Sequence, residues 1–455
     1  MRVNLQALGC RLNEAELETW ARQFQQLGHQ VTPDETGADL VVVNTCAVTQ
    51  EAVRKSRKLL RRAQRGNPRA KLVVSGCLAT LETQTLALEA GIDLVIPNAD
   101  KNRLVAIATA ELDLPAMPPT AMAAEANPLF ARGRQRAFIK VQDGCRYRCA
   151  FCIVTLARGE ERSRPIPEVV DEINRAAAAG VREAVLAGVH LGGWGNDLGL
   201  GLDDLIGAVL AETDMPRLRL GSLEPWELPG GLWDLFANPR LMPHLHLPLQ
   251  SGADSVLRRM ARRCRTEEFA RLASEARARV PGIHLTTDII AGFPGETDAE
   301  WRQTLAFVAS IGFGQVHIFA YSPRPGTKAA SLPDQVPAEV KKERSREMHE
   351  LARRMKADTF AHYLGHQTTI LLEGRQGSDP DGDRYGYTPH YLPVSLPSSK
   401  GQDLTNQLLR VELTAIHPDG DSLIATLAPQ THPLPDHEDA GASPAMGTLV
   451  GPAPA

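Results

Sequence analysis

The chain has 455 residues, 43% of them hydrophobic and 23% charged, and a formal net charge of −4. This is the composition of a globular protein, and at about 150 residues per domain the length predicts two to four domains, of which we expect three. No apolar run reaches the roughly 20 residues that a membrane span needs, and the first residues lack the apolar core of a secretion signal. We therefore expect a cytoplasmic protein without membrane association.

The first region, residues 1–112, alternates short β-rich runs with helical stretches such as 14–27. Alternation of this kind predicts a parallel sheet with helices on both faces. The next residues, 113–135, are rich in proline and alanine and are predicted to be a linker. The strands predicted in the first region are 3–8, 40–44, 72–75 and 93–96.

The second region, residues 136–358, resumes the alternation, and each of its six predicted strands is followed by a helical pattern. Six such units predict a partial (βα)6 barrel, with its chemistry at the carboxyl ends of the strands. Residues 359–430 show short strands separated by turns and predict a small antiparallel β-barrel. Residues 431–455 are expected to be disordered. The six strands of the second region are 138–142, 183–187, 217–220, 244–247, 284–290 and 315–320.

Three cysteines with the spacing C-x3-C-x2-C directly follow the first of these six strands: Cys145, Cys149 and Cys152. Three thiolates on one loop can hold three irons of a cubane [4Fe-4S] cluster and leave the fourth iron open to a small molecule. The alternatives are three unrelated cysteines or a zinc site, although structural zinc normally takes four protein ligands. The spacing favours a reactive iron–sulfur cluster.

A second set of cysteines is scattered in sequence, but each member directly follows a predicted strand of the first region: Cys10, Cys46 and Cys77. In a parallel sheet these positions converge on one edge, and glycine at 9 and 76 lets the backbone approach a bulky group closely. The alternative is three buried structural cysteines, since cysteine is often buried. Their joint placement favours a second cluster, and Cys264 is interpreted as incidental.

Several motifs together resemble the methylthiotransferase family of radical S-adenosylmethionine (SAM) enzymes, and the resemblance extends over nearly the whole chain. They are Leu-Gly-Cys-Arg-Leu-Asn at 8–13, Asn-Thr-Cys-Ala-Val-Thr at 44–49, Gly-Cys at 76–77, the segment 157–164 and Thr-Asp-Ile-Ile-Ala-Gly-Phe-Pro-Gly-Glu-Thr at 287–297. The resemblance implies a SAM-dependent transferase rather than its non-enzymatic alternative, an iron–sulfur electron carrier.

The family resemblance implies three domains and two [4Fe-4S] clusters. A flavodoxin-like domain would hold the auxiliary cluster through Cys10, Cys46 and Cys77, the partial barrel would hold the radical SAM cluster, and a TRAM-like β-barrel would bind RNA. Two SAM molecules are spent per turnover: one methylates sulfur on the auxiliary cluster, and the other yields the radical that removes hydrogen from the substrate. A reductant such as flavodoxin or ferredoxin is implied, while the sulfur source stays open.

Within the family, the variants at 8–13, 45–49 and 140–145 look most like the enzymes that act on N6-threonylcarbamoyladenosine at position 37 of tRNA. These enzymes add a methylthio group to position 2 of the base. Two alternatives stay open inside the family. One is action on isopentenyladenosine 37, and the other is action on an aspartate of a ribosomal protein.

Residues near the ends of the predicted barrel strands are candidates for SAM binding, although each is also a plausible turn or cap residue. Gly292 and Gly295 are expected to let backbone amides contact the adenine or methionine moiety. A run of basic residues at helical spacing is predicted to meet tRNA phosphates, the alternative being a solvated face. A second basic run at 258–265 has a weaker claim. The SAM candidates are Gly188, Ser222, Glu224, Asp288, Gly292 and Gly295, and the RNA candidates are Arg54, Lys58, Arg61, Arg62 and Arg65.

Overall fold

The computed structural model describes residues 1–114, 135–375, 383–397 and 404–428. Most of the predicted linker 113–135 and the predicted tail 431–455 lie outside these residues. The exact limits of the three domains therefore stay predictions. Within the described ranges, no helix has the length and apolar character that crossing a bilayer requires.

The first region is a five-stranded parallel sheet with the strand order β2-β1-β3-β4-β5, the order typical of flavodoxin-like folds. The fold class predicted for this region is confirmed. Its strands are β1 (Arg2–Ala7), β2 (Gln30–Val31), β3 (Leu40–Thr45), β4 (Lys71–Gly76) and β5 (Leu94–Ile96). Its helices of four residues or more are α1 (Arg11–Gln26), α2 (Gln50–Gly66), α3 (Cys77–Leu81), α4 (Thr83–Ala87) and α5 (Leu104–Glu111).

The central strand β3 shows why this sequence forms a sheet covered on both faces. All six of its residues are buried, and its β-branched run suits an extended strand. On one face of the sheet, Val42 packs in a cluster with Leu17 and Trp20 of α1. On the other face, Val41 and Val43 pack in a cluster with Leu60 of α2. The two-residue edge strand β2 was not predicted, because so short a strand leaves no periodic pattern.

The second region is a partial barrel of six parallel strands. Two three-stranded sheets are joined by parallel bridges from Leu218 to Leu241 and from Ser222 to His246, which confirms the (βα)6 prediction. The strands are β6 (Arg136–Lys140), β9 (Glu183–Ala187), β10 (Arg217–Leu220), β11 (His244–His246), β12 (His284–Ala291) and β13 (Gln315–Ala320), with the short pair β7 (Gln142–Asp143) and β8 (Arg162–Ser163) beside the cysteine loop. The α-helices are Val154–Arg158, Ile166–Ala178, Leu202–Glu212, Leu232–Leu235, Asp254–Arg259, Thr266–Arg279, Asp298–Ile311 and Ala338–Tyr363.

Barrel strands alternate between an apolar outer face and a polar inner face. Leu186, Leu218 and Leu245 belong to the core that packs against the surrounding helices. Successive side chains of a strand point to opposite faces, so Glu183 and Arg219 lie on the inner face, where they form a buried ion pair with Arg219 Nε 2.9 Å from Glu183 Oε1. The interior of this barrel is therefore polar.

The third region is a small closed β-barrel with the strand order β14-β15-β16-β18-β17. Its strand pairs are antiparallel except for β16 and β18, which pair in parallel, so the predicted antiparallel barrel holds with one exception. The strands are β14 (Gln367–Arg375), β15 (Arg384–Tyr387), β16 (Pro393–Leu396), β17 (Leu408–Ile416) and β18 (Leu423–Leu427).

The first and second regions dock with their carboxyl edges facing each other. The amide of Gln50, at the start of α2, donates to Ser322 Oγ at 3.0 Å, in the loop that follows β13. Asn98 Nδ2, after β5, donates to the carbonyl oxygen of Ala157 at 2.7 Å. These contacts bring the loops after the sheet strands against the loops after the barrel strands.

Candidate functional site

The cysteine loop of the barrel is shaped by its backbone. The amide of Cys145 donates to the carbonyl of Gly159 at 3.1 Å, and that of Cys152 donates to the carbonyl of Cys149 at 3.0 Å. Gly144 has φ of +74°, and a Cβ atom there would lie 1.8 Å from the carbonyl oxygen of Glu160. The turn therefore requires glycine, and it brings three half-buried thiols onto one short loop.

Arg262 is a fixed cation beside this loop. Its Nη1 lies 3.9 Å from Cys149 Sγ, its Nη2 lies 2.7 Å from Glu224 Oε2, and its guanidinium lies over the Trp226 ring at 4.4 Å. Only 2% of its side chain is exposed, so the idea of a basic surface patch at 258–265 is wrong for this residue. A row of arginines in sequence does not reveal which one points inward.

His190 holds the next strand end in place. Its ring lies between two carboxylates, with Nδ1 at 2.5 Å from Glu161 Oε1 and Nε2 in contact with Glu227. Although burial opposes the charged form, the hydrogen bonds to Glu227 and Glu161 raise the pKa of His190 above its usual value. The histidine also adjoins the cysteine loop. A ring nitrogen of His190, a carboxylate oxygen of Glu161 and the Sγ of Cys145 all lie within 4.8 Å of one another.

The predicted SAM residues fall into different surroundings. A Cβ atom on Gly188 would lie 3.0 Å from Gln142 Oε1, so this strand end packs closely on the cysteine loop. Ser222 is exposed at the barrel mouth, and Glu224 is paired with Arg262. Asp288 lies inside the barrel, where its Oδ1 is 3.2 Å from His246 Nε2.

The amides of Gly292 and Gly295 have acceptors within the chain, and the expectation that they contact SAM stays a prediction. The amide of Gly292 donates to Glu296 Oε2 at 2.7 Å, and that of Gly295 donates to the carbonyl of Asp334 at 2.8 Å. Both amide hydrogens are therefore donated within the chain. Glycine is required here because φ is +76° and +72°, the left-handed region that other residues rarely adopt.

The second set of thiols is brought together at the carboxyl edge of the sheet. Cys10, Cys46 and Cys77 follow β1, β3 and β4, and a Cβ atom on Gly9 would lie 2.6 Å from Cys46 Cβ and 2.8 Å from its Sγ. Gly76 has φ of +96°, and a Cβ atom there would lie 2.3 Å from the carbonyl oxygen of Thr45. Both glycines thus permit close approach at the site itself.

The donor chemistry of both sets fits iron–sulfur clusters. Burial raises the pKa of Cys46 to about 11 and of Cys152 to about 12, so near neutral pH a metal must replace the thiol proton. Thiolates are soft ligands that suit iron–sulfur centres, and three of them leave one iron of a cubane open. The six cysteines are free of disulfides.

The two sets of thiols adjoin helices that pack against each other at the domain interface. Helix α3 begins at Cys77 and packs against the helix Val154–Arg158, which starts two residues after Cys152. Large apolar side chains remain exposed on the loops and strands beside the two sets of thiols: Val48, Leu156 and Phe319. Both sets of thiols therefore adjoin the same domain interface.

Comparison with known proteins decides the family. A model described as "Uncharacterized protein family UPF0004" matches residues 2–97, and one for the radical SAM superfamily matches residues 139–308. The chain is 35% identical over 379 residues to the threonylcarbamoyladenosine tRNA methylthiotransferase MtaB of Thermotoga maritima, covering 82% of this chain and 86% of that protein. The chain belongs to the radical SAM methylthiotransferase family. Membership makes it a SAM-dependent transferase that uses a [4Fe-4S] cluster.

Other relatives of this methylthiotransferase are named for a different modified adenosine. The tRNA-2-methylthio-N(6)-dimethylallyladenosine synthase of Anaeromyxobacter dehalogenans is 36% identical over 452 residues, with 94% of each chain covered. Among solved structures, the radical SAM methyltransferase TsrM of Kitasatospora setae matches with a TM-score of 0.55 at 18% identity, covering 72% of this chain and 77% of that one. The last likeness supports the fold alone.

Helix α2 of this methylthiotransferase exposes the predicted basic face. Ser56, Leu60 and Ala63 are its buried residues, and the helix starts beside the barrel mouth, where Gln50 contacts Ser322. Some of the charge is already compensated, since Arg62 Nη2 lies 2.8 Å from Glu35 Oε2. The exposed residues of the face are Arg54, Lys58, Arg61, Arg62 and Arg65.

Charge reversal on this face tests its contact with tRNA. The double variant Arg61→Glu and Arg62→Glu is expected to bind tRNA more weakly and to lower the salt dependence, by about one unit of logarithmic slope per lost phosphate contact. Binding is measured at several salt concentrations. The matched control is the double variant Arg353→Glu and Arg354→Glu, at two consecutive exposed arginines of the helix Ala338–Tyr363. It changes the net charge of the protein by the same amount. Equal tRNA binding by the two double variants would show that α2 does not contact tRNA.

Proposed function

We propose that this enzyme adds a methylthio group to position 2 of N6-threonylcarbamoyladenosine at position 37 of tRNA. The observation that carries the proposal is the meeting of two thiol sets at one interface, which suits the joint transfer of sulfur and a methyl group. The Thermotoga maritima relative and its counterparts in Bacillus subtilis and Chlamydia pneumoniae support this substrate, because all three carry the MtaB name.

The polar interior of the barrel supports threonylcarbamoyladenosine over isopentenyladenosine. Arg11, the residue after Cys10, has its guanidinium 4.8 Å from the Phe138 ring, and its Nη2 donates to Tyr391 Oη at 3.1 Å. His246 of β11 and the exposed His317 of β13 have ring centroids 5.5 Å apart. A threonylcarbamoyl group carries a carboxylate, a hydroxyl and a urea that such residues can bind, whereas an isopentenyl group offers them no polar atom.

The residues present fit the two cofactors that the proposal needs. Cys145, Cys149 and Cys152 would hold the radical SAM [4Fe-4S] cluster, and Cys10, Cys46 and Cys77 would hold a second one. When its cluster is bound, the first site would supply the reductive cleavage of SAM. The second site would supply the sulfur that is methylated.

The chain itself orients the loops around the thiols. Buried Gln142 donates from Nε2 to the carbonyls of Asp143 and Gly144, and its Oε1 accepts the amide of His190 at 2.9 Å. The cysteine loop is thereby tied to the neighbouring strand end. Arg262 keeps a positive charge beside Cys149, where it stabilises the thiolate that binds metal.

The remaining components follow from the proposed reaction. Two SAM molecules are consumed per turnover, one for the methyl group and one for the radical. tRNA is the macromolecular substrate, a flavodoxin or ferredoxin is the reductant, and we place the enzyme in the cytoplasm with its tRNA. The TRAM-like barrel is proposed as a second RNA contact.

Mass spectrometry of tRNA nucleosides tests the substrate. A strain lacking this gene is expected to lose 2-methylthio-N6-threonylcarbamoyladenosine and to accumulate the unmethylthiolated nucleoside, and the gene supplied on a plasmid should restore it. Loss of the methylthio group from isopentenyladenosine would assign the other tRNA substrate. Unchanged tRNA together with a missing methylthio group on a ribosomal protein would overturn the tRNA proposal.

A further inference from the structure

Five charged side chains form a buried network between α1 and the barrel. Arg158 Nη1 lies 2.9 Å from Glu16 Oε1 and 3.0 Å from Asp143 Oδ1. Lys101 Nζ lies 2.7 Å from Glu16 Oε1, and Lys140 Nζ lies 2.7 Å from Asp143 Oδ2. Exposure of these side chains does not exceed 14%. The network joins both halves of the enzyme, because Glu16 belongs to α1 and Asp143 directly precedes the barrel's cysteine loop.

The network contains more positive than negative charge. Arg158, Lys101 and Lys140 are cations, whereas Glu16 and Asp143 are carboxylates. Although burial works against ionisation, Arg158, Lys140 and Lys101 hold the pKa of Glu16 well below its usual value. One positive charge is therefore left over within this buried group. An uncompensated buried charge is strongly unfavourable, so a negative group nearby is needed to balance it.

The excess charge lies beside the thiols of the sheet. Arg158 Nη2 donates to Asn13 Oδ1 at 2.7 Å, and the same oxygen is 3.6 Å from Cys10 Sγ. Asn13 Nδ2 donates to the carbonyls of Leu8 and Thr45, close to Cys10 and Cys46 in the chain. Asn98 Nδ2 lies 3.8 Å from Cys77 Sγ and donates to the carbonyl of Ala157, the residue before Arg158. A single arginine of the barrel domain is thus held against the thiol set of the other domain.

We propose that Arg158 is a positioning residue that raises the reduction potential of the metal centre held by Cys10, Cys46 and Cys77. Three thiolates on a dicationic cubane carry net negative charge, and reduction adds another electron. A fixed cation in a buried site stabilises the more negative, reduced state. This inference rests on the proposed role of the three cysteines as ligands.

The test uses the full chain with Cys145, Cys149 and Cys152 changed to alanine, so that only the second centre is reconstituted with iron and sulfide. The centre is titrated with reductant while its electron paramagnetic resonance signal is recorded. Arg158→Met is expected to move the midpoint to a more negative potential. Arg158→Lys keeps the charge and is expected to restore most of the difference.

A second variant predicts the opposite sign. Glu16→Gln removes an anion from the network while Arg158 stays, so the midpoint is expected to become more positive. A merely structural role would not give shifts of opposite sign. The matched control is Arg22→Met, which breaks the ion pair between Arg22 and Glu172 at the same domain interface and is expected to leave the potential unchanged.

The possible failures are distinguishable. If Arg158→Met does not retain iron, the Glu16→Gln variant decides the sign of the effect. Equal midpoints in the parent and Glu16→Gln proteins at equal iron content would overturn the role of Arg158. A parent protein that binds no iron would instead overturn the assignment of Cys10, Cys46 and Cys77 as ligands, and with it the second cluster of the proposed function.

Discussion

Replacement of Cys149 by alanine is expected to abolish reductive cleavage of SAM. The cluster at this loop depends on three thiolates, and the loss of one leaves Arg262 without its sulfur contact at 3.9 Å. Iron content should fall from about eight to about four atoms per chain, as expected for two cubane clusters reduced to one. The measurement is formation of 5′-deoxyadenosine from SAM under a chemical reductant.

Cys264 provides the matched control for this experiment. It is a buried cysteine of the same domain, and its thiol donates to the carbonyl of Arg265 at 3.3 Å. Cys264→Ala is expected to keep full iron content and full SAM cleavage. Cleavage retained by Cys149→Ala, or lost equally in both variants, would contradict the assignment of the cysteine loop.

Replacement of Cys46 by alanine is expected to separate the two halves of the reaction. SAM cleavage should continue, because the barrel loop is intact, while methylthio transfer to tRNA should stop. The backbone around residue 46 should stay in place, since its amide donates to Ser56 Oγ at 3.1 Å and its carbonyl accepts from the same hydroxyl. Both 5′-deoxyadenosine and the tRNA nucleosides are measured in one reaction.

Cys46→Ser tests whether sulfur itself is required at this position. Serine nearly preserves the size of the side chain, but its hydroxyl is a hard ligand that does not replace a thiolate on iron. We expect it to behave like Cys46→Ala, with both proteins losing about four irons per chain. Methylthiolated nucleoside formed by either variant would show that Cys46 does not hold the second centre.

The positions of most strands along the chain, and hence the placement of both thiol sets at strand ends, could be predicted from the sequence because the signals are local. Strands at 217–220 and 315–320 were predicted with the bounds that the structure has, Arg217–Leu220 and Gln315–Ala320. Cysteines placed directly after such strands must lie at the carboxyl edge. Strands β15 and β16 were not predicted, since glycine and proline interrupt their β-rich pattern.

The partners of buried charges could not be predicted, because they are distant in sequence. Arg158 and Glu16 are separated by 142 positions, and Arg262 meets a cysteine 113 positions away. No periodic pattern carries such information. The amides of Gly292 and Gly295 illustrate the same limit: their acceptors follow from the folded path of the loop and not from the glycines themselves.

The interface between α3 and the helix Val154–Arg158 also affects how the holoenzyme is assembled. Residues of the other domain form part of the surroundings of each thiol set. Neither site is therefore complete when the two domains are separated. Incorporation of iron therefore reports on long-range folding of the chain. Cutting the enzyme between its first two domains should yield fragments that load metal poorly until they are mixed.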